Sequence, residues 1–432
     1  MVAAMSNSPP EIFVLPNGLR VVVRPVPGAP AAGVAVHYGV GFRSEPAGRS
    51  GFAHLFEHMM FQGSARVGRG QHFTIAQQSG GTANGSTHQD YTDYYQIVPS
   101  AAVERMLFLE ADRMRSLAIT PEGLRTQTAV VQEEIRLNVL NKPYGGFPWT
   151  VLPGVLYRSF ANGHNGYGDL ADVERATVAE CEEFFAAHYT PDNAVLTVCG
   201  DVDPERVAAM AAQHFGDIPA AGRAPRPDLG EPYPAGESRA VHPDPHAPLP
   251  ATAFGYRMLD PGTQLSSYAA HMMLCQILTG SRTARLRSRL THRAAPLATD
   301  VSSGCGLFGP LQARDPDTFL VVVTHPADPG SERIAAELDG ELDGIARFGL
   351  HQGELDRAVA ISVSATHRNR DSLLALTRHT GACALLFDRP GLPGELPDLL
   401  AAVTEDDIRQ AAASLTPASR AVVALTPTGA SG

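Results

Sequence analysis

The chain has 432 residues, of which 44% are hydrophobic, and a formal net charge of −11 at pH 7. This length allows two to three domains with hydrophobic cores of their own. The acidic balance argues against a nucleic-acid partner, because phosphate binding requires a basic face. No apolar run approaches the roughly 18 residues of a membrane-spanning helix, so we expect no membrane segment.

The first ten residues contain neither the charged segment nor the apolar core of a secretory signal, so we expect a cytoplasmic protein. Five cysteines are spread through the chain: Cys181, Cys199, Cys275, Cys305 and Cys383. Their odd number, wide spacing and apolar surroundings favour reduced, packed thiols over a disulfide framework. None has the spacing of a zinc ligand pair.

A β-hairpin is predicted near the beginning of the chain. Asn17-Gly18 separates the apolar segments 12–16 and 19–24, and this dipeptide is a strong signal for a hairpin turn. The apolar segment 32–40 is expected to be the next strand.

The segment His54-Leu55-Phe56-Glu57-His58 carries the clearest chemical signal in the chain. On a helix, side chains four residues apart lie on one face, so both imidazoles can bind one ion while Glu57 lies beside them to accept a proton from water. The structural alternative is a core helix whose histidines are hydrogen-bonded by neighbours. The order H-x-x-E-H is the inverse of the thermolysin-type H-E-x-x-H.

The next two elements carry no comparable signal of their own. Segment 80–87 begins with two glycines and is predicted to be a loop that leads into a strand. A phosphate-binding loop is disfavoured there, because no Gly-rich turn from strand to helix surrounds it. Segment 101–117 has apolar residues at helical spacing and is expected to be a core helix.

A zinc site that leaves one position open for water needs a third protein ligand. The helical pattern of residues 122–140 offers Glu133 and Glu134. At about 100° per residue, Glu134 lies within roughly 60° of Val130 and Val131, whereas Glu133 is on the far side from Val131. We therefore expect Glu134 to face inward as the ligand and Glu133 to be solvated.

A pattern of helix, Thr-Pro turn and strand occurs in 177–199 and again in 404–425. This repetition predicts an α+β fold with two homologous domains, each an antiparallel β-sheet packed with helices. The segment 216–250 is rich in proline, glycine and charge, so it is assigned as the linker. The expected domains are 11–215, which contains the metal-binding motif, and 251–428, a non-catalytic repeat.

Several of these motifs match one known family in their order along the chain. The matching segments are 15–21, 51–64, 80–94 and 190–201. In this order they resemble the M16 family of zinc metallopeptidases, the group of pitrilysin, insulysin and the mitochondrial processing peptidase. The resemblance covers most of the first half, is weaker in the second half, and also places the family's distal metal ligand at Glu134.

The resemblance implies a zinc-dependent endopeptidase. Its cofactor would be Zn²⁺, held by His54, His58 and Glu134. Glu57 would take a proton from the attacking water and return it to the leaving amine, so one carboxylate would serve first as base and then as acid.

The resemblance also implies a substrate-binding strand in segment 80–87. An extended, unfolded peptide or propeptide would add to the sheet edge at Ala83, Asn84 and Gly85, and the Asn84 side chain would bind the peptide backbone. His88 follows this strand and is a candidate for a further peptide contact.

Gln127 is a first departure from the family pattern. Members of the family usually carry a second glutamate seven residues before the distal ligand, and seven residues make nearly two turns, so Gln127 lies on the face of Glu134. A neutral amide can orient a ligand but adds no charge. We expect the replacement of this glutamate, which does not itself bind the metal, by Gln127 to alter metal affinity or water activation by about 10 to 100-fold.

A second departure lies in the C-terminal half, where the family carries an arginine and a tyrosine that grip the substrate. Segments 290–292 and 297–299 lack both groups. Nearby arginines that could substitute are Arg285, Arg287, Arg289 and Arg293. The resemblance implies a heterodimer in which a second M16-like subunit supplies the arginine and the tyrosine, with a homodimer as the alternative.

A non-catalytic or weakly active scaffold subunit of a heteromeric complex is the alternative function. Such subunits usually lose the metal motif. This chain keeps all three expected ligands and the base, which favours the enzyme.

Overall fold

The computed structural model describes residues 9–222, 226–232, 234, 236–328 and 330–429. Residues 223–225, 233 and 235 of the predicted linker and residue 329 of the predicted second domain lie outside the described residues. Contacts between residues divide the chain into two compact units. Each unit contains one β-sheet with helices packed against it, which confirms the predicted α+β fold.

The sheet of the first unit has the spatial strand order β1-β2-β6-β3-β5-β4. The strands are β1 Glu11–Val14, β2 Arg20–Pro25, β3 Ala32–Tyr38, β4 Thr82–Thr87, β5 Thr92–Val98 and β6 Ala194–Gly200. Neighbouring strands are antiparallel except β2 and β6, which are parallel. β4 is an edge strand, and in the described part of the chain it pairs with β5 alone.

The predicted hairpin connects β1 and β2. Gly18 has a φ of 86°, a left-handed conformation that glycine adopts without strain. The backbone N–H of Leu15 donates to the carbonyl of Leu19 at 2.9 Å and closes the turn. The Asn17 side-chain amide also donates to the carbonyls of Phe215 and Ile218. The turn is therefore held both by its own backbone hydrogen bond and by contacts with the end of α9.

Helices make up most of the chain between the strands. In chain order they are α1 Phe52–Met59, α2 Gln71–Gln78, α3 Val103–Ser116, α4 Pro121–Ile135, α5 Leu152–Leu156, α6 Phe160–Gly163, α7 Leu170–Glu174, α8 Val178–His188, α9 Pro204–Phe215, α10 Leu265–Thr279, α11 Arg285–Thr291, α12 Gly330–Phe348, α13 Glu354–Arg370, α14 Leu373–Phe387, α15 Leu392–Ala401 and α16 Glu405–Ser414. A π-helical turn, Arg136–Leu140, follows α4 directly. Among the described residues, no helix combines the length and the apolar character needed to cross a bilayer.

The sheet of the second unit repeats the first. Its strands are β7 Ser238–Asp244, β8 Ala251–Arg257, β9 Asp300–Cys305, β10 Thr318–Thr324 and β11 Arg420–Pro427, in the spatial order β7-β11-β8-β10-β9. Again one pair is parallel, β7 with β11, and the other pairs are antiparallel. When β1 is left out, the strands of the first sheet have the same spatial order and the same relative directions as those of the second. This is the arrangement expected of two homologous domains.

The repeated Thr-Pro pattern has the same structure in both units. Thr177 caps α8 and Thr404 caps α16, each through a reciprocal pair of side-chain and backbone hydrogen bonds. A short 3₁₀ turn beginning at Pro191 or Pro417 then leads into β6 or β11. The predicted repeat is therefore present as helix, turn and strand.

The two units that the contacts define differ from the predicted domains 11–215 and 251–428. The first unit consists of residues 1–132, 166–227 and 367–395, and the second contains 133–165. Residues 367–395 of the first unit include α14, which packs on the first sheet against β3 and β6. Its residues Ala382 and Leu385 share a buried core with Val22 and Val195 of that sheet. Long-range packing of this kind is not visible in local sequence patterns.

The predicted linker 216–250 includes the strand β7. This strand is at the edge of the second sheet, and its side chains alternate between exposed and half-buried. An edge strand with polar residues on one face has a composition close to that of a linker. Within this segment the chain passes from the first unit to the second between residues 227 and 228.

Candidate metal centre

The helix that carries the H-x-x-E-H motif is α1, and its N-terminus is capped by a buried carboxylate. Glu45 is only 3% exposed and accepts hydrogen bonds from the backbone N–H of Gly51 at 2.8 Å and of Ala53 at 2.7 Å. These two donors have no partner within the helix, and a negative charge is favourable at this end. Four apolar side chains anchor the helix in the core: Phe52, Leu55, Phe56 and Met59.

His54 and His58 lie one turn apart on α1, as the spacing predicts. Their ring centroids are 5.0 Å apart and the rings are nearly perpendicular. His54 is buried and His58 is half-buried. The ring of Tyr167 packs edge-on against His54 at 5.1 Å. This contact restricts the orientation of the His54 imidazole.

Glu134 lies on the last turn of α4. Ligand atoms of His54, His58 and Glu134 all lie within 4.8 Å of one another. Glu133 instead is exposed and pairs with Arg136 at 3.3 Å.

The donor set of two imidazole nitrogens and one carboxylate oxygen suits zinc. Each ligand atom would lie about 2.0 to 2.2 Å from a bound zinc ion, so three atoms within 4.8 Å of one another are close enough to share one ion after local adjustment. Three protein ligands leave a fourth position open for water, as in catalytic rather than structural zinc sites. The π-helical turn that follows Glu134 is a local irregularity that is common at functional sites.

Glu57 is positioned by the edge strand β4. The hydroxyl of Thr87 donates a hydrogen bond of 2.6 Å to Glu57 Oε2. Gly85 lies on the same strand, where a Cβ atom would be only 3.1 Å from Cγ of Glu57. The absence of a side chain therefore allows β4 to approach the carboxylate closely.

The three predicted substrate-binding residues all lie on β4. Asn84 has an exposed side chain, and its Oδ1 accepts a hydrogen bond of 2.9 Å from the N–H of Gly85. Ala83 is half-buried, whereas Gly85 is buried against α1. These residues occupy the sheet edge that the sequence predicted, next to Glu57.

His88 is not on an accessible substrate surface. It is 7% exposed and stacks on Tyr91 at 4.4 Å, and its Nε2 lies 3.3 Å from Arg378. Burial lowers the pKa of His88 to about 4. This environment favours a structural role for His88 over the peptide contact for which it was a candidate.

The same buried cluster contains an ion pair and a second histidine. Asp93 is completely buried and accepts hydrogen bonds from Arg378 of α14 at 2.6 and 3.0 Å. His37 lies 3.7 Å from Asp93, yet burial lowers its pKa to about 4. Burial outweighs the attraction of Asp93, and the positive charge of Arg378 lowers the pKa further, so His37 is uncharged at neutral pH.

Gln127 lies on the buried side of α4 with Leu124 and Val131. It is 7% exposed and lies seven residues before Glu134. The expected shared face of Gln127 and Glu134 is consistent with this burial. Its influence on a metal stays a prediction.

The four arginines considered as substitutes for the family's arginine are all engaged within the second unit. Arg285 pairs with Glu354, Arg287 with Asp300, and both Arg289 and Arg293 with Glu337, at distances of 2.6 to 3.1 Å. Releasing any one of them would leave an acidic partner behind. Substitution by these residues is therefore disfavoured.

Three residues of the site were not identified from the sequence: Glu45, Thr87 and Tyr167. Thr87 belongs to the segment that resembles the family's substrate strand, and this was the available signal. Glu45 lies seven residues before Phe52, the first residue of α1, too far for a standard capping motif. Tyr167 approaches from a distant segment, and no spacing rule links it to His54.

Known proteins resemble this chain in sequence and in fold. A zinc protease of Helicobacter pylori, PqqE, is 27% identical over 358 residues, which are 80% of this chain and 77% of that protein. The β subunit of the mitochondrial processing peptidase of Blastocladiella emersonii is 26% identical over 218 residues, 50% of this chain and 46% of that protein. The crystal structure of a protease from Helicobacter pylori has a TM-score of 0.88 and 25% identity, covering 97% of this chain and 100% of that one.

Two sequence profiles of one peptidase family match consecutive parts of the chain. The profile described as "Insulinase (Peptidase family M16)" matches residues 20–143, which include α1 and α4. The profile described as "Peptidase M16 inactive domain" matches residues 175–362. Together they cover more than two thirds of the sequence, and the chain belongs to peptidase family M16.

Proposed function

We propose that this protein is a zinc-dependent endopeptidase that hydrolyses peptide bonds of unfolded peptides or propeptides. The observation that carries the proposal is the convergence of His54, His58 and Glu134 within 4.8 Å, with Glu57 on the same helix. Relatives named zinc proteases support the same chemistry.

In this proposal each side chain of the site has a separate task. His54, His58 and Glu134 hold the ion, which would supply Lewis-acid chemistry by lowering the pKa of a water toward 7 and polarising the scissile carbonyl. Glu57 accepts the proton of the attacking water and donates it to the leaving amine. Thr87 holds one oxygen of Glu57, which leaves the other oxygen to receive the proton.

The edge strand β4 is proposed to bind the substrate backbone. Its outer edge has no partner strand among the described residues, so an extended peptide can add to the sheet there. Binding through main-chain hydrogen bonds selects an extended shape more than a particular sequence. β4 also carries Thr87, so a bound peptide would lie next to the catalytic carboxylate.

We further propose that the active form is a heterodimer with a second M16-like chain. The segments at which the family carries its arginine and tyrosine lack both groups, and the nearby arginines are ion-paired. A subunit that carries those two groups would complete the substrate site. Light scattering and peptidase assays on the purified chain test this, because full activity of the isolated monomer, or of a homodimer, would contradict the heterodimer.

The second candidate function is a scaffold subunit with little or no activity. Gln127 and the missing arginine and tyrosine favour it, because each removes a charged or hydrogen-bonding group from the family's site. A scaffold has no need to keep Glu57 hydrogen-bonded beside the three ligands. The intact set therefore favours the enzyme.

The experiment that separates the two functions combines metal analysis with peptide hydrolysis. The chain is purified with zinc, alone and with candidate M16-like partners, and assayed on unfolded peptides. Glu57→Gln is expected to keep zinc and to lose at least about 100-fold in rate. Glu133→Gln, at an exposed carboxylate of α4, is the matched control and should retain both. A wild-type chain that binds no zinc would contradict the proposed function.

A further inference from the structure

Two cysteines of the second unit face each other across a helix and a strand. Cys275 lies on α10 and Cys305 is the last residue of β9. Their sulfur atoms are 3.7 Å apart, which is van der Waals contact between two thiols. A disulfide bond needs a separation of about 2.05 Å, so the sulfurs would have to approach by less than about 2 Å.

Polar contacts already fix the two backbones at this point. The hydroxyl of Ser303 on β9 donates to the carbonyl oxygen of Cys275 at 3.2 Å. The hydroxyl of Thr279, one turn farther along α10, lies 2.7 Å from that of Ser303. The helix and the strand are therefore held in register beside the two sulfur atoms.

The two thiols differ in exposure. Cys275 is half-buried and can be reached by a small molecule, whereas Cys305 is 3% exposed. Burial, and then the neighbouring Cys275, raise the pKa of Cys305 well above its ordinary value. The first reaction with an external reagent therefore belongs to Cys275, and Cys305 can react only with a sulfur that is already beside it.

We propose that Cys275 and Cys305 form a dithiol modification site that closes to an intrachain disulfide in the presence of a small-molecule disulfide such as oxidised glutathione. The Cys275 thiolate attacks one sulfur of the reagent, forms a mixed disulfide and releases one glutathione thiolate. The Cys305 thiolate then attacks the Cys275 sulfur, forms the protein disulfide and releases the second glutathione. Two protein thiols are oxidised, one reagent disulfide is reduced, and the two protons lost by the cysteines pass through solvent to the two glutathione thiolates that leave.

The bond would tie α10 to β9 and close a loop that contains α11. A covalent link between these elements restricts the unfolded chain and so stabilises the second unit. This inference is independent of the proposed peptidase activity, because neither cysteine is part of the metal centre.

The test incubates the full-length native protein with oxidised glutathione, blocks remaining thiols by alkylation and maps peptides without reduction. We expect one cross-linked pair, Cys275 with Cys305, and a thermal midpoint several degrees above that of the reduced protein, reversed by dithiothreitol. Persistence of glutathione on Cys275 without closure, no reaction at either cysteine, or predominant cross-links to other cysteines would overturn the proposal.

Variants separate the two steps. Cys305→Ser should accumulate the glutathione adduct on Cys275 and show no rise in thermal midpoint from an intrachain bond. Cys275→Ser should leave Cys305 unmodified, because that thiol is buried. Cys383→Ser, at a buried cysteine of the first unit, is the matched control and should form the bond as the wild type does.

Discussion

Thr87 and Glu57 are joined by a hydrogen bond of 2.6 Å from the threonine hydroxyl to the glutamate carboxylate. The bond connects the edge strand that is proposed to bind the substrate with the helix that carries two of the three proposed metal ligands. Gly85 strengthens this connection, because its lack of a side chain lets the strand approach Glu57. The position of Glu57, the proposed base, is thus set by β4, the strand that is proposed to bind the substrate.

Removing the Thr87 hydroxyl should therefore reduce catalysis without removing the metal. Thr87→Val keeps the shape and loses the donor, so we expect kcat to fall by about 10 to 100-fold, the equivalent of one hydrogen bond to a charged group. Thr87→Ser should restore most of the rate. Steady-state kinetics and zinc content check this, with Thr82→Val at the exposed start of β4 as the control. Loss of zinc in Thr87→Val would show that the residue supports the ligands instead.

The two neighbouring glutamates of α4 should behave differently. Glu134→Gln removes a charged ligand, so we expect zinc to bind at least about 100-fold more weakly. Glu133→Gln removes only an exposed ion pair with Arg136 and should leave zinc affinity unchanged. Competition with a chelator of known affinity measures both. The opposite ranking would mean that the ligand is Glu133.

The cap of α1 predicts a stability effect. Glu45 accepts two backbone hydrogen bonds at the start of α1. A glutamine in its place lacks the negative charge and has only one acceptor oxygen, so it keeps at most part of this capping interaction. We expect Glu45→Gln to lower the free energy of unfolding by about 1 to 3 kcal/mol. Urea unfolding measures the change. Glu182→Gln, at an exposed glutamate of α8, is the control and should stay within about 0.5 kcal/mol of the wild type.

The buried histidines predict a loss of stability in acid. The pKa of His37 and of His88 is about 4 in the folded protein and 6.5 ordinarily, so between these values the unfolded chain binds more protons. Their contribution is present above about pH 6.5 and is lost as the pH falls toward 4. By pH 5 we expect a loss of about 2 kcal/mol for each histidine.

Urea unfolding at pH 7.5 and pH 5, with a chelator present to remove metal effects, measures this loss. His37→Gln should show a shallower dependence of stability on pH than the wild type. Equal slopes for the two proteins would contradict a neutral, buried His37.

Local periodicity was sufficient for the parts of the site that lie on single helices. The spacing of His54 and His58 and the rotation of Glu134 away from Glu133 follow from helical geometry, and both are present. Val131 marks the buried face of α4, whereas Val130 is 43% exposed, so one of the two apolar markers was uninformative. The hairpin and the repeated Thr-Pro pattern were equally local.

Contacts between distant segments could not be predicted in this way. Thr87 reaches Glu57 across 30 residues, and Arg378 reaches Asp93 across 285. The packing of α14 on the first sheet and the pairing of β7 with β11 also depend on which surfaces meet after folding. A single sequence carries no direct signal for such pairings, so the sequence predicts contiguous domains, whereas the contact-defined units are discontinuous.

Anomalous diffraction at the zinc edge from crystals of the full-length protein tests the central claim most directly. We predict one strong peak per chain, bound by His54, His58 and Glu134 and close to Glu57, and no peak there in His58→Ala. Zinc bound at other residues, or a wild-type crystal grown with zinc that has no peak among these three side chains, would contradict the account.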